Sequence, residues 1–491
     1  MFHRAIACIA VPAFLALGCA DGTDSQSAAP AMPAEPAAPS ASEVLDDVVA
    51  AMGTASLNSV TYSGRAWRIR NGWMQTPHAD PPWPYRDEIT NYRRTIDLGQ
   101  PASLAMGDTF AQNLFLDPPV AGTYTQNIPA DATAWPRQLE IWLTPWGFLK
   151  GAADNGVELS TASLDGVEYR VLSWMSPEDQ TSPSGMRYTV NGYINDANLV
   201  AGVETWVEDA FMGDFHVRQV YRDYRGLNGL MVPQTIEQQR GGGGVFGVII
   251  TDVTGNPSNL SELMVAPQGG GGGFGGGGGQ APTDIVEQVG DGVWLITGGY
   301  IALVAEFEDY LMVFEAGQSE ARGEQILEAV TGLNPDKPIR FLVNSHPHSD
   351  HTAGIVPFIR NGAALITHAN NAAFLDMALS TPRTLLGEET LQPDVVGVDG
   401  ITVYEDSLNR VELHSVPNGH TDGMLVAILP RQGILFQADF TLPQPGAEAN
   451  PFVVTLAQYV AEVDPQFERY LAVHAAQVPQ TKADLLATIG L

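Results

Sequence analysis

The chain has 491 residues, 44% of them hydrophobic, and carries 56 acidic against 24 basic side chains for a formal net charge of −32. With three lysines and no basic patch it would repel a polyanion, which excludes nucleic acid as a partner. Its two cysteines, Cys8 and Cys19, exclude a disulfide scaffold.

Residues 1–19 read as a signal peptide. Arg4 gives a positive start, Ile6 to Leu17 is apolar but too short to span a bilayer, and Ala16-Leu17-Gly18-Cys19 resembles a lipoprotein cleavage box. The competing reading is an ordinary cleaved signal with Cys19 incidental. Use of the box makes Cys19 a lipidated first residue, the sole contact with a membrane, and leaves the mature protein without a disulfide. The expected location is the periplasm or cell envelope, with Ala20 after Cys19 resembling lipoproteins sent to an outer membrane where the source has one. Residues 20–41, rich in Ala, Pro and Ser, read as a disordered tether. Ser42 then reads as the N-cap of a helix whose apolar positions Val44, Leu45, Val48, Val49 and Met52 precede a stop at Gly53.

Residues 42–267 read as a mainly antiparallel β domain. Apolar or alternating runs recur at 60–69, 168–174, 187–194, 203–207, 217–224 and 245–253, separated by turn signals such as Asn228-Gly229. The expectation is one strongly curved sheet with the 42–53 helix packed on it. The tryptophans Trp67, Trp73, Trp83, Trp135, Trp142 and Trp146 read as core or loop packing, and Gly241–Gly244 as a hairpin loop. The region vaguely resembles periplasmic half-barrel lipoprotein-carrier domains, without a specific motif. Residues 268–282, with two runs of five glycines around Phe274, read as a flexible linker. Loosely coupled domains are the expectation that follows.

From 285 strands alternate with helices. Strands are expected at 292–296, 301–307, 311–314, 339–343, 364–367, 411–416, 424–429, 434–436 and 470–473, and helices at 319–331, from 354, and at 452–463, with 370–400 helical or loop-like and overhanging a site. Layered αββα packing fits this alternation. The stretch Asn344-Ser345-His346-Pro347-His348-Ser349-Asp350-His351 stands on the turn after strand 339–343 and packs three of the chain's ten histidines and an aspartate into six positions. Imidazole with carboxylate suits zinc or a similar divalent ion. A closed structural zinc site would call for thiolates, and no cysteine follows Cys19.

These residues resemble the H-x-H-x-D-H signature of the metallo-β-lactamase-fold hydrolases, and residues 283–491 resemble that family in motif order. Gly419-His420-Thr421-Asp422-Gly423 resembles the G-H-T-x-G motif, Phe436-Gln437-Ala438-Asp439 the strand delivering a bridging Asp, and Leu471-Ala472-Val473-His474 the strand delivering the last His. Two positions depart from the pattern: Ala475 stands where a Gly is common, and Glu315, in Phe314-Glu315-Ala316-Gly317, stands where an Asp-x-Gly-type turn is usual. The fold class implied is α+β, a C-terminal αββα metallo-β-lactamase-like sandwich beside the N-terminal β domain.

Carried over residue by residue, the resemblance assigns His346, His348 and His420 to one metal position and Asp350, His351 and His474 to a second, with Asp439 bridging. It makes Asp350 and Asp439 the catalytic carboxylates, Asp350 also receiving the proton, and Glu315 a support that orients a ligand imidazole or the metal turn. The cofactor implied is zinc, two per chain, with iron or manganese as alternatives. Two such ions about 3.5–4 Å apart lower the pKa of a shared water and polarise a carbonyl or phosphoryl oxygen. The reaction implied is hydrolysis by a metal-bridging hydroxide of a small ester, lactone, thioester or amide. His368 and His414, on or beside strands, read as structural or supporting, and Arg383 and Tyr300 lie where loops approach the site without an assigned role. Three alternatives stand beside the hydrolase: a β-lactamase, a mononuclear iron dioxygenase of the same fold, and a non-catalytic ligand-binding lipoprotein. A di-iron redox protein is disfavoured because His348 stands where a Glu is usual there. Composition assigns no oligomeric state.

Overall fold

A computed structural model of the chain describes residues 39–69, 86–113, 116–132, 134–267, 285–444, 446–474 and 480–491. The expected signal peptide with Cys19, the tether up to residue 38, the linker 268–282, Trp73, Trp83 and Ala475 lie outside these residues. Among the described residues no helix is long and apolar enough to cross a membrane.

The first helix, Ala41–Met52, begins ahead of the expected start, with Ser40 rather than Ser42 as its N-cap. Glu43 decides this. Ser40 accepts from the Glu43 amide while the Glu43 carboxylate accepts from the Ser40 amide, a reciprocal capping box that Ser42 cannot form. The face Val44, Leu45, Val48 and Met52 is buried.

Among the described residues, the N-terminal domain is built on one eleven-stranded antiparallel sheet. Ser59–Ile69 and Gly243–Gly255 pair at its middle. From Ser59–Ile69 the order runs outward through Arg86–Asp97, Ala102–Asn113 and Leu116–Ile128. From Gly243–Gly255 it runs through Leu230–Arg240, Gly213–Leu227, Val200–Asp209, Thr189–Ile194, Val167–Met175 and Glu158–Leu164. Asn228 and Gly229 both take positive φ, 49° and 83°, the left-handed pair that a two-residue hairpin turn requires.

Two helices that the all-β reading missed, Trp135–Trp142 and Pro145–Asn155, connect the two halves of the sheet. Thr144 caps the second by accepting from Gly147 N–H, with Pro145 as its first residue. Their tryptophans form core, as expected. Trp135 stacks on Trp142 at 6.2 Å between ring centroids and meets Trp174 edge-on at 5.8 Å.

The C-terminal domain has two packed sheets. The first runs Ile285–Gly290, Val293–Thr297, Ala302–Glu306, Leu311–Phe314, Ile339–Val343, Ala364–His368, Val395–Val398. The second runs Ile401–Glu405, Arg410–Ser415, Leu425–Leu429, Ile434–Gln437, Arg469–Ala472, Gln480–Thr481. Phe314, Val343 and Ile366 of the first and Leu425, Ala427 and Phe436 of the second belong to one buried cluster. Helices Glu320–Leu333, Val356–Arg360 and Ala369–Ser380 flank the first sheet, and Pro451–Val463 packs with Lys482–Ala487 on the second. This is the expected αββα layering.

The two domains are docked, which corrects the expectation of loose coupling drawn from the glycine runs. Their buried apolar side chains form one continuous cluster that includes Phe211 and Met212 as well as Leu379 and Leu385. Asp214 accepts from Thr384 N–H at 3.1 Å, Thr384 O–H at 2.5 Å and Leu385 N–H at 2.9 Å. The Asp214 amide donates to Pro382 C=O at 2.7 Å, and Ser184 N–H to Leu385 C=O at 3.0 Å. Gly213, at φ +68°, leaves room for this contact, since a Cβ there would stand 2.4 Å from Pro382 O. Arg383 is fully buried at the joint, bonded to Ala210 C=O and Glu388, rather than near the site. The segment 370–400 therefore does more than overhang. It supplies the helix Ala369–Ser380 on the first sheet, the docking turn Thr384–Leu386 and the edge strand Val395–Val398.

Candidate metal centre

Strand Ile339–Val343 ends beneath the histidine-rich turn, and Asn344 fixes the turn's base. Asn344 N–H donates to Ile366 C=O, its Nδ2 donates to His351 C=O at 3.0 Å, and its Oδ1 accepts from Thr367 at 3.3 Å. His348 is extended and starts a single helical turn, Ser349–Thr352, its carbonyl accepting from the His351 and Thr352 amides. That change of backbone aims His346 and His348 one way and Asp350 and His351 another. His420 follows Asn418, whose Oδ1 accepts the His420 amide at 2.8 Å. Asp439 follows strand Ile434–Gln437, and His474 follows strand Arg469–Ala472. Ligand candidates thus come from the same end of both sheets.

The structure brings all seven together in two groups. His346, His348, His420 and Asp439 form one, and Asp350, His351 and His474 the other, with the offered atoms of each within 4.8 Å of one another. Asp439 faces both. Its Oδ2 lies 2.7 Å from His420 Nε2 and 3.2 Å from His346 Nε2, while its Oδ1 lies 2.7 Å from His474 Nε2 and 3.2 Å from His351 Nε2. His346 and His351 are fully buried, whereas the His474 side chain is 36% exposed, so the centre opens to solvent on the His474 side.

The electrostatics follow from that burial. Burial, followed by the neighbouring His351, pushes His346 well below the ordinary imidazole value, toward the neutral form. Burial alone would lower His351 too, but Glu315 and Asp439 outweigh it and raise it. Burial would raise Asp439, yet His346 and His351 hold its carboxyl well below the usual range.

Glu315 reaches both features named for it. Its Oε1 accepts Ser345 N–H at 2.8 Å, and its Oε2 lies 2.7 Å from His351 Nδ1. The backbone at Glu315 is left-handed, φ 71°, a conformation that costs energy without a glycine and that the two bonds hold in place. A carboxylate on Nδ1 leaves Nε2 of His351 to face the cluster.

The donor set fits a metal. Among the described residues the buried Oδ1 of Asp350 has no hydrogen-bond partner, Nε2 of the fully buried His351 has the Asp439 and Asp350 carboxylates beside it at 3.2 and 3.5 Å without a well-formed hydrogen bond, and Nε2 of His420 lies 3.3 Å from Nε2 of His346. Two imidazole nitrogens pointed at one spot, with orphaned acceptors beside them, are what a divalent cation satisfies. His368 and His414 stay outside. His368 Nε2 meets Ser415 Oγ at 2.7 Å, and His414 Nδ1 meets the Tyr459 hydroxyl at 3.0 Å.

Sequence reasoning left three supports without roles. Asn344 was legible only as the opening residue of its stretch. Asn371, at the start of helix Ala369–Ser380, donates to Gly423 C=O at 2.8 Å, and a Cβ on Gly423 would stand 2.6 Å from Asn371 Oδ1. Tyr300 donates its O–H to Asp350 Oδ2 at 2.8 Å. Tyr300 stands after Gly298-Gly299 between two strands, a hint of a shaped turn but not of a partner 50 residues on.

Two helix-flanked sheets with a histidine and aspartate cluster at one strand end define the class, a metallo-β-lactamase-type hydrolase fold. Residues 298–475 match the family model described as metallo-beta-lactamase superfamily, so the C-terminal domain is a domain of that superfamily. No curated protein matches the sequence. Among solved structures, a metallo-beta-lactamase from Pontibacter korlensis is 19% identical, covers 43% of this chain and 98% of its own, and has a TM-score of 0.34. The metallo-beta-lactamase FIM-1 from Pseudomonas aeruginosa, in a mono-zinc form, is 18% identical over 43% of this chain and 95% of its own, with a TM-score of 0.32.

Proposed function

We propose that the C-terminal domain is a binuclear zinc hydrolase acting on a small ester, lactone, thioester or amide. The observation that carries this reading is the Asp439 carboxylate, with one oxygen turned to each group of candidate ligands. His346, His348 and His420 would hold one ion, Asp350, His351 and His474 the other, and Asp439 both. Zinc suits a donor set of five imidazoles and two carboxylates without thiolate. When bound, the ions supply Lewis-acid polarisation of the scissile group and a more acidic water.

The chain's own residues supply the rest. Buried His346 and His351 keep the floor of the site dry, and Glu315 and Asn344 fix the turn. Asp350, on the solvent-facing side, takes up at its carboxylate the proton released when water adds. The net charge of −32 favours a small neutral or weakly charged substrate over a polyanion. Metal-loaded protein is assayed against lactones, thioesters, esters, amides, β-lactams, phosphodiesters and sulfate esters. Turnover of a member of the first four classes that chelation abolishes supports the reading, and a single bound iron with oxygen consumption overturns it.

The protein is proposed to be exported and anchored through a lipid on Cys19. Cys19→Ser should release it from the membrane fraction, and unchanged fractionation would refute the anchor.

A further inference from the structure

We propose that Tyr300 is a positioning residue that builds the second metal group, the one made of Asp350, His351 and His474. The proposal rests on the metal reading above and adds to it a residue that no family motif marks.

Tyr300 touches every member of that group. Its hydroxyl donates to Asp350 Oδ2 at 2.8 Å. Its ring meets His474 edge-on, with centroids 4.6 Å apart and planes at 72°, and His351 at 5.7 Å and 61°. Asp350 Oδ2 is also the oxygen that lies 3.5 Å from His351 Nε2, while Asp350 Oδ1 is buried without a hydrogen-bond partner among the described residues. A carboxylate on a one-turn helix can rotate about its own bonds, and one strong hydrogen bond selects a single rotation. Donation by Tyr300 fixes Oδ2 beside His351 and His474.

Tyr300 is itself held from behind. Arg322, 4% exposed on helix Glu320–Leu333, donates to the carbonyls of Ile296, Thr297 and Tyr300 at 3.2–3.4 Å. Three carbonyls gathered on one guanidinium tie down the turn that carries the phenol. The His474 loop is tied to the same turn, since Ile301 N–H donates to Val473 C=O at 3.1 Å. The order of support runs from Arg322 through the 296–300 turn to Tyr300, and from its hydroxyl to Asp350. The first group has another neighbour, with Phe452 edge-on to His420 at 5.0 Å. Glu315 and Asn344 serve both groups, whereas the Tyr300 hydroxyl reaches the second, so its loss should weaken that position selectively.

The test is a cobalt(II) titration of the full chain, followed by visible absorption, with unfolding of the metal-free protein followed by circular dichroism. His420→Ala and His474→Ala identify which binding step belongs to which group. Tyr300→Phe keeps the ring and removes only the hydroxyl, and it should weaken the step so assigned to the Asp350, His351 and His474 group about ten- to a hundredfold, as loss of a residue that orients a ligand does. It should leave the other step and the metal-free unfolding midpoint unchanged, and Tyr300→Ala should show the same loss or more. Wild-type binding of both ions by Tyr300→Phe would overturn the proposal, as would equal weakening of both steps. Loss confined to Tyr300→Ala would assign the effect to ring packing and overturn the role of the hydroxyl. Failure of wild-type protein to bind two ions would instead sink the two-metal reading itself, before any variant is compared.

Discussion

Glu315 Oε2 lies 2.7 Å from Nδ1 of His351, and both side chains are buried. A carboxylate there decides the imidazole's tautomer and its orientation together, and the second Glu315 oxygen ties the same carboxylate to the Ser345 amide. Glu315→Gln keeps the size but removes the charge and one acceptor. It should lower metal affinity about 10–100-fold, measured by competition with a chromophoric chelator. Unchanged affinity would show that Nε2 faces the cluster without help from Glu315.

Asp439→Ala removes the carboxylate that faces both groups and leaves three side-chain candidates on each side. Metal content by native mass spectrometry should fall from two ions toward one. Hydrolysis should fall by more than the ~100-fold that loss of an outer partner costs. Retention of both metals and full rate would rule out a bridging role.

At the joint between domains, Asp214 satisfies two amides and a hydroxyl of the Thr384–Leu386 turn. Asp214→Ala should destabilise the protein by about 0.5–1.5 kcal/mol, because water can replace the carboxylate at exposed Thr384 and only the Leu385 amide is left as a half-buried donor. Residues 281–491 expressed alone should show a lowered unfolding temperature and exposed apolar surface around Leu379 and Leu385. An isolated C-terminal domain with the full-length midpoint would show that the docking contributes nothing to its stability.

Histidine 414 gives a pH dependence away from the metal centre. Burial holds it below the ordinary value of 6.5, with Glu412 opposing. On acidification the unfolded chain takes up this proton first. Stability is therefore fully present above about pH 6.5 and declines as the pH falls from there through the lower folded value. The thermal midpoint of His414→Gln should fall less steeply between pH 7.5 and 5 than that of wild type. Parallel curves would remove His414 as a contributor.

What the sequence made legible was local. The His346–His351 spacing, the strand before it and the apolar runs ending at Asp439 and His474 each lie within a few residues, and period and composition report them directly. What stayed hidden joins distant parts of the chain. The Asp214–Thr384 contact spans 170 positions, and a glycine-rich stretch says only that the linker is pliable, not whether the faces it joins adhere. The Tyr300–Asp350 bond spans 50 positions. The helices at 135–155 were lost for a different reason, since they are short, eight and eleven residues, and Pro136 and Pro145, which sit in their first turns, read in a sequence as breaks.

Four of the seven candidate ligands, His346, His348, Asp350 and His351, ride on the first sheet, and three, His420, Asp439 and His474, on the second. The centre is thus a caliper set across the gap between the sheets, and it reads their separation. Phe314 and Phe436, whose rings meet edge-on at 6.5 Å between the sheets, set that gap. A smaller residue at either position, with no polar atom and no contact with a metal, would shift one jaw against the other. It would surface in the laboratory as a defect in metal loading, whereas a bound ion pair would clamp the two sheets and raise the temperature at which they part.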